Sequence, residues 1–285
     1  MKKRCLAITP ARDEQDFLPR LIASMAAQTC SPARWIIIDD GSSDATPSII
    51  DEAAGKYSWI ESHHLPAGRP RAPGGESVIM QFLPRETWAC FDFILRLDSD
   101  ISFGSDFIEQ VLAEFAQDPK LGLAGATLCE PCESGWREIR GPSFHTRGAA
   151  KVYSRACFAA IGGLDAGLGW DTVDEAHAMM LGFTTRSFGH IRAYHHRPQG
   201  TAGGQRRGRV AAGMAAYKTG YSPLFVLARA ARATFSGFPA AGVFLLAGYI
   251  EGHLRREKRI ASPELVKFIR KQQLRRILLL NSLWR

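Results

Sequence analysis

The sequence has few cysteines, and they lack the spacing of disulfide-stabilised or zinc-binding proteins. Its six cysteines in 285 residues are scattered, and only Cys129 and Cys132 form a C-x-x-C pair. One such pair lacks the second half that a tetrahedral zinc site needs, so reduced structural thiols are expected. No export signal is expected, because the first apolar run ends at Ile8 and charged residues follow at 12–14. A cytoplasmic location is therefore expected.

The chain has little charge imbalance outside its C-terminal end. Residues 251–285 hold ten Lys/Arg against three Glu, and removing these from the totals of 36 Lys/Arg and 28 Asp/Glu leaves 26 and 25. Apolar residues make up 46% and charged residues 22%, values that exclude disorder, collagen and coiled coil as the main state. No nucleic-acid recognition motif accompanies the basic tail, so no nucleic-acid partner is expected.

The first hundred residues alternate short apolar runs with helical patterns, which predicts βαβ units and a mainly parallel sheet. Strands are expected at 5–9, 35–38, 91–97 and 121–128, and helices at 17–28, 46–54, 107–117 and 171–182. Thr46 followed by Pro47 is a favourable start for the second helix. Residues 66–75 predict a flexible basic loop. The pattern as a whole predicts an α/β fold.

Two of the predicted buried strands end in clustered carboxylates. Asp39 and Asp40 follow one strand, and Asp98 and Asp100 follow another. Because open α/β sheets bind ligands beyond the carboxyl ends of their strands, these side chains predict a ligand site. Carboxylates repel a polyphosphate, so a divalent cation held by Asp98 or Asp100 is expected, and Mg²⁺ and Mn²⁺ prefer such oxygen ligands. A simple turn at each strand end is the alternative.

Three segments, in this order, resemble the family 2 glycosyltransferases of the GT-A fold. They are Ile8-Thr9-Pro10-Ala11-Arg12-Asp13-Glu14, Trp35-Ile36-Ile37-Ile38-Asp39-Asp40-Gly41-Ser42-Ser43-Asp44, and Leu97-Asp98-Ser99-Asp100. The similarity covers roughly residues 4–200. The resemblance implies a GT-A fold, which is a Rossmann-like, mainly parallel sheet flanked by helices. It also implies an inverting, hexosyltransferase-type transfer from a nucleotide-diphosphate sugar, with Mg²⁺ or Mn²⁺ as cofactor.

The resemblance assigns donor and metal roles to matching positions. The nucleotide-sugar positions are Pro10, Ala11, Glu14, Asp40, Asp98, Asp100, His196 and Arg197, and the metal positions are Asp98, Asp100 and His195. The first three would line the pocket for the base and ribose, and Asp40 would contact the nucleobase. The later aspartates would face the ribose, the pyrophosphate and the metal, and the His-His-Arg cluster would meet the metal or the diphosphate. The alternatives are an exposed Glu14 that favours a helix dipole and a satisfied surface cluster at 195–197. Asp13 stands where the family more usually has Asn.

The base that removes the proton of the acceptor is expected in an acidic segment at the start of a helix. In the family this segment follows a Gly-Gly-Leu/Phe-Asp element, which corresponds here to residues 161–165. When the C-terminal end of this helix is aligned with that of the family, Asp171 takes the position of the second residue of the family's acidic pair, and it is the first candidate for the base. Trp170 stands in place of the first acid of that pair. Asp174 and Glu175 are the alternatives if the register slips. A structural alternative is that Asp171 and Asp174 cap the helix.

A helical extension at 206–285, with a possible membrane role, is expected after a GT-A domain at 1–205. Residues 233–250 carry no charge for 18 residues, but their glycines and proline favour a hairpin over a membrane span. A capped helix is expected from residue 262, with apolar residues between basic ones. Its apolar members are Leu265, Phe268, Ile269 and Ile277. Such a helix favours an anionic membrane surface, and packing on the catalytic body is the alternative.

The expected function is sugar transfer to a hydroxyl acceptor in surface polysaccharide or glycolipid biosynthesis. The acceptor is expected to be a glycan or lipid-linked, and the enzyme to lie peripherally on the inner face of the cell membrane. Addition of a single sugar is favoured, because the segment 272–276 has Arg where processive relatives have Trp. Arg147, Lys151 and Tyr153 are candidates, by position, for contact with the acceptor or a phosphate. The alternatives are a sugar nucleotidyltransferase and, because Trp170 replaces an acid, a catalytically silent membrane-associated assembly protein.

Overall fold

The central feature of the fold is one twisted sheet of mixed direction. The structure is a computed structural model that describes residues 3–68, 79, 82–197, 204–235 and 238–284. Most of the predicted basic loop at 66–75 lies outside these residues. In the described part of the chain the strands are β1 (Cys5–Ala11), β2 (Arg34–Asp39), β3 (Ile60–His64), β4 (Phe93–Leu97), β5 (Ile101–Phe103), β6 (Leu121–Cys132), β7 (Gly135–Glu138), β8 (Ala150–Ser154) and β9 (Thr184–His195). Their order across the sheet is β3-β2-β1-β4-β8-β6-β9-β5, and β7 pairs with β6.

Helices cover the sheet and form the C-terminal part of the chain. They are α1 (Leu18–Ala26), α2 (Thr46–Lys56), α3 (Arg85–Trp88), α4 (Phe107–Gln117), α5 (Arg155–Ile161), α6 (Trp170–Met180), α7 (Gly204–Lys218), α8 (Pro223–Thr234), α9 (Ala241–Leu254) and α10 (Pro263–Ile277). The α/β fold predicted from the alternating pattern is confirmed.

The parallel strands are buried on both faces because their side chains alternate between two apolar layers. In β1, Cys5 and Ala7 pack in the layer that contains α1, α2 and α4, whereas Leu6 and Ile8 pack in the opposite layer with Trp88. This two-sided burial explains the continuous apolar runs in the sequence.

The direction of the strands brings distant segments of sequence to one edge. Strands β3, β2, β1 and β4 are parallel to one another, and Ala11 at the end of β1 lies opposite Asp39 at the end of β2. Farther along the sheet, β5 and β9 are antiparallel and pair Ile101 with His195. The carboxylates after β2 and β4 and the His-His-Arg cluster after β9 therefore face a common edge.

Several predicted boundaries differ from the structure. Helix α2 has Ala45 rather than Thr46 as its N-cap, and no side chain caps it. The hydroxyl of Thr46 instead accepts a hydrogen bond from the amide of Glu14 at 2.7 Å. The fourth predicted strand continues to Cys132, four residues beyond the expected end, because its final residues pair with β7.

The C-terminal helices pack against each other and against α6. A Cβ atom added to Gly213 in α7 would lie 2.0 Å from the carbonyl oxygen of Leu245 in α9, and one added to Gly248 in α9 would lie 2.0 Å from that of Val210. These two positions therefore require glycine for so close a helix contact. Within the described residues, no helix has the length and apolar character needed to cross a membrane. Of the uncharged stretch 233–250, residues 233–234 end α8 and residues 241–250 begin α9, so the stretch does not form one continuous helix, and the predicted hairpin stays a prediction.

The basic helix at the C-terminus exists, but its apolar side is covered by protein. Ser262 caps α10 by accepting a hydrogen bond from the amide of Leu265. Leu265 and Ile269 are buried at 3% and 0% exposure, and Phe268 packs on the same core. Membrane insertion through this side is therefore wrong, because α10 uses it to pack against the rest of the chain.

Candidate active site

The first two predicted carboxylates have different environments. Asp39 accepts a hydrogen bond from the amide of Ser42 at 3.0 Å, so it stabilises the turn after β2. Asp40 is 6% exposed, and its Oδ2 lies 3.7 Å from Nη1 of Arg12. Its amide donates to the carbonyl of Ala11 at 2.8 Å, which holds the ends of β1 and β2 together. The turn predicted as an alternative thus involves Asp39, and Asp40 remains the candidate for nucleobase contact.

Glu14 is a buried residue at the centre of the strand edge. It is 5% exposed and forms an ion pair with Arg197, 183 positions away in sequence. Burial raises the pKa of Glu14 to about 6, although Arg197 opposes the rise. The alternative of an exposed glutamate beside a helix dipole is wrong. Pro10 and Ala11 lie at the end of β1 next to this residue.

Asp98, Asp100 and His195 form a group with the composition of a metal site. Each offers one ligand atom, and the three atoms lie within 4.8 Å of one another. Nε2 of His195 is 3.1 Å from Oδ1 of Asp100. Nδ1 of His195 is buried and has no hydrogen-bond partner among the described residues, so this ring is not fully satisfied by the protein. Two carboxylates and one imidazole fit a divalent metal ion.

Basic side chains contact both aspartates of this group. Arg197 donates from Nε and Nη2 to Oδ2 of Asp100 at 3.1 and 3.0 Å. Burial raises the pKa of Asp100, but the hydrogen bonds and charges of His195 and Arg197 outweigh it, and the net shift is downward. Arg96, the last residue but one of β4, donates to Asp98. Asp98 and Asp100 therefore each contact at least one basic side chain.

His196 and Arg197 both form hydrogen bonds to other side chains of the protein. The two ring nitrogens of His196 lie 2.8 Å from Ser102 Oγ and 2.8 Å from Arg20 Nη1, and the ring packs against Trp136. Arg197 bridges Glu14 and Asp100. Both residues lie at the predicted edge, and a role for either with a diphosphate stays a prediction.

The acidic segment that was expected to contain the base begins helix α6. The N-cap is Gly169, with φ +94° and no side-chain cap. The capping alternative for Asp171 and Asp174 is therefore wrong. Asp171 lies in the first turn, partly exposed, and lines a cavity of about 960 Å³. Its backbone carbonyl accepts a hydrogen bond from Nζ of Lys151 at 2.7 Å.

The other two base candidates are buried and already bonded. Asp174, 3% exposed, accepts from Nζ of Lys151 at 2.8 and 2.9 Å and from the hydroxyl of Tyr153. Glu175, 2% exposed, accepts from the amide and hydroxyl of Thr146, both at 2.6 Å, and lies 2.9 Å from Nδ1 of His145. Burial raises the pKa of Asp174 to about 7, with Lys151 opposing the rise. These bonds indicate positioning roles. Glu175 lines the same cavity as Asp171, but Asp171 is the candidate that is partly exposed there.

Two residues suggested for acceptor contact are inaccessible. Lys151 and Tyr153 are both 0% exposed, so contact with an acceptor or a phosphate is wrong for them. Arg147 is partly exposed and donates to the carbonyl of Arg140 at 3.3 Å. The indole of Trp170 lies 5.0 Å from the Arg96 guanidinium and 5.0 Å from the Lys151 ammonium. The position of the family's first acid is therefore filled by an aromatic ring packed on two cations.

Residues 148–149 lie between the group of Asp98, Asp100 and His195 and the residue Asp171. The amide of Asp98 donates to the carbonyl of Ala149 at 2.8 Å, and Nη1 of Arg96 donates to the carbonyl of Gly148 at 2.6 Å. A Cβ atom added to Gly148 would lie 3.7 Å from Cβ of Asp171. Sequence reasoning missed Arg96, although a charged residue inside an apolar strand was a usable signal. The two halves of the candidate site are thus adjacent.

Comparison with known proteins gives one family and several structural likenesses. A model described as glycosyl transferase family 2 matches residues 6–160, more than half of the 285-residue chain. Staphylococcus aureus TarS 1–349 in complex with UDP-GlcNAc is 14% identical, with a TM-score of 0.57 and coverage of 88% of this chain and 73% of that chain. The mannosyltransferase PcManGT from Pyrobaculum calidifontis, in complex with GDP-Man and Mn²⁺, is 15% identical, with a TM-score of 0.56 and coverage of 99% and 77%. At these identities the likeness shows the fold alone. No curated protein sequence matches the chain.

The sheet and the acidic group at its edge define a GT-A-type protein that uses a nucleotide-sugar. The chain belongs to glycosyl transferase family 2 and is a glycosyltransferase. The family and fold predicted from the three sequence segments are confirmed.

Proposed function

We propose that the protein transfers a sugar, with inversion, from a nucleotide-diphosphate sugar to a hydroxyl acceptor in surface polysaccharide or glycolipid biosynthesis. The observation that carries the proposal is the adjacency of Asp98 to Asp171 through residues 148–149. A donor held at the strand edge would present its anomeric carbon toward the cavity that Asp171 lines. Asp40 and Glu14 would hold the nucleoside, as the resemblance implies.

In this mechanism Asp171 accepts the proton of the acceptor hydroxyl. The oxygen of that hydroxyl forms the new bond to the anomeric carbon from the face opposite the diphosphate. The bond from the anomeric carbon to the diphosphate breaks, and the diphosphate leaves with the electron pair. A divalent ion at Asp98, Asp100 and His195 would stabilise the negative charge of the leaving group. Lys151 holds the backbone of Asp171 in place.

We also propose that the protein lies peripherally on an anionic membrane surface at the inner face of the cell membrane. The support is a run of exposed side chains after α10: Leu278, Leu279 and Leu280 are 57%, 86% and 52% exposed. Basic residues of α10 point to solvent in the same region, including Lys267 and Lys271. Exposed leucines beside cations suit an interface with anionic headgroups. The division of the chain at residue 205 into a GT-A domain and a helical extension stays a prediction.

The proposed transfer is tested by incubating the protein with UDP-, GDP- and dTDP-sugars and Mn²⁺. Slow hydrolysis of one donor that stops when the ion is chelated supports a transferase. Exchange that depends on pyrophosphate would instead indicate a nucleotidyltransferase. Absence of donor binding would indicate a catalytically silent assembly protein, the alternative that Trp170 at the position of an acid suggests.

A further inference from the structure

The cavity beside Asp171 has an unusual concentration of arginine. It lies between the start of α6 and helices α7, α8 and α10, and its volume is about 960 Å³. Asp171 and Glu175 contribute the two carboxylates of its lining. The cations are Arg140, Arg209, Arg229, Arg232 and Arg276. We call this space the arginine cavity.

The five arginines of the arginine cavity outnumber its two carboxylates. None of the five guanidinium groups forms an ion pair with an acidic side chain of the described residues. Glu175 is already bonded to Thr146 and faces His145. Arg209 and Arg276 are partly buried, where repulsion between like charges is less screened than at the surface. A bound anion with several oxygen atoms would relieve this repulsion.

Phosphate chemistry fits these cations better than a single carboxylate does. A guanidinium group donates two parallel hydrogen bonds to a phosphate, and a phosphate can accept from more than one such group. Five arginines from four separate segments can surround a group that carries more than one negative charge. A neutral sugar hydroxyl offers no comparable match.

The remaining lining of the arginine cavity is apolar. Phe225, Leu245 and Trp284 line it, together with several alanines of α7 and α8. Phe235, also in the lining, is 90% exposed. Large exposed leucines flank the lining residues in sequence, with Leu224 and Leu227 at 55% and 53% exposure beside Phe225 and Ala228. Phe235 therefore carries the apolar lining to an exposed position at the edge of the cavity.

We propose that the arginine cavity is the acceptor site and that the acceptor is a phosphate-bearing amphiphile. The arginines hold the phosphate, the apolar lining holds the first part of a lipid chain, and Asp171 receives the proton of a hydroxyl attached near the phosphate. This inference rests on the proposed function, because it takes Asp171 as the base. A water-soluble anionic acceptor would not need the apolar path, so the lipid-linked source is the one that the lining favours.

The probe for a binding test is octyl phosphate, kept monomeric, with octyl glucoside and inorganic phosphate as matched ligands. Isothermal titration calorimetry without donor or metal ion gives the three affinities. We expect octyl phosphate to bind at least about ten-fold more tightly than either control ligand, because only it has both the charge and the chain. The double variant Arg209→Gln with Arg276→Gln should lower the affinity for octyl phosphate about ten-fold or more.

A matched control separates the cavity from general positive charge. Lys56→Gln with Lys120→Gln removes the same two charges from exposed positions outside the cavity, and octyl phosphate affinity should change less than about two-fold. If Arg209→Gln with Arg276→Gln lowers the melting temperature, Arg229→Gln with Arg232→Gln replaces it, because these two arginines are exposed at the rim of the cavity. This second variant should also bind octyl phosphate more weakly than the parent.

Three outcomes would overturn the inference. Equal binding of octyl glucoside would show an apolar groove without phosphate recognition. Equal binding of inorganic phosphate would show a site for a free anion, and equal loss in the lysine control would show non-specific charge. The proposed function fails separately, since donor hydrolysis needs no amphiphile. Octyl phosphate binding without donor turnover would refute the transfer mechanism and still support the anionic amphiphile site.

Discussion

The ammonium group of Lys151 donates a hydrogen bond to the backbone carbonyl of Asp171 at 2.7 Å while it pairs with the carboxylate of Asp174. One buried cation thus couples the partly exposed base candidate to a fully buried carboxylate. Lys151 is fully buried in β8, and the two acids belong to α6. The contact therefore fixes the start of α6 against the sheet.

Lys151→Met should destabilise the protein strongly. The change leaves the Asp174 carboxylate buried without its cation, and breaking such a pair commonly lowers the free energy of unfolding by about 3–5 kcal/mol. Urea denaturation of the variant and the parent gives this difference. Lys267→Met, an exposed change in α10, is the control and should alter stability by less than about 0.5 kcal/mol. A loss of similar size in both variants would contradict the structural role of the pair.

Asp171→Asn should separate chemistry from folding. The side chain is partly exposed and does not cap α6, so the melting temperature and donor affinity should hardly change. Transfer should fall by about 10²–10⁴, the usual loss when a general base is removed. Single-turnover kinetics with a donor found in the hydrolysis panel measures the effect. Asp174→Asn and Glu175→Gln are matched comparisons that should lower stability first, because both residues are buried and multiply bonded. Near-normal transfer by Asp171→Asn would refute its assignment as the base.

The sequence predicted the strand-end carboxylates because their placement depends on local features. An apolar run followed by acids ends a buried strand, and parallel strands then bring Asp40 and Asp98 to one edge. The roles of Lys151 and Glu175 could not be predicted in this way. They depend on the antiparallel insertion of β8 beside β4 and on the packing of α6 over it, which are long-range pairings without a local pattern. The sequence left the covering of α10 open between membrane and protein for the same reason, since an amphipathic pattern does not show whether protein or lipid covers it.

Asp100→Ala should weaken metal binding and donor binding together. Asp100 provides one of the three possible ligand atoms, and the remaining pair of Asp98 and His195 would hold a divalent ion less tightly. Mn²⁺ affinity measured by electron paramagnetic resonance should fall by about ten-fold or more. Asp16→Ala, a substitution at an exposed position outside the site, should leave the Mn²⁺ affinity unaltered. Unchanged Mn²⁺ affinity and donor affinity in Asp100→Ala would remove these residues from the metal site.

His145 should make stability depend on pH. Burial lowers the pKa of His145, but the charge and hydrogen bond of Glu175 outweigh it, so the net shift is upward from 6.5. A histidine with a raised pKa in the folded state stabilises the fold fully below the unfolded pKa, and this contribution is lost as pH rises through the folded pKa. The free energy of unfolding of the parent should therefore exceed that of His145→Gln by more at about pH 5.5 than at about pH 8.5. Glu175→Gln should reduce this pH dependence. Parallel stability curves for parent and His145→Gln would contradict the coupling.

Membrane association should depend on the leucines after α10 and not on the apolar side of that helix. Leu265, Ile269 and Trp284 are buried at 3%, 0% and 2% exposure, so removing residues 262–285 would damage the fold and give no clean test. Leu278→Asn with Leu279→Asn changes exposed positions and should leave the melting temperature almost unaltered.

Sedimentation with vesicles that contain phosphatidylserine measures the effect of this pair. The parent should bind, the leucine variant should bind more weakly because it loses apolar contact, and high salt should weaken binding in both by screening the basic residues. Vesicles of phosphatidylcholine alone are the control and should bind less of either protein. Binding that neither the leucine changes nor salt reduces would refute an anionic membrane surface as the partner of this region.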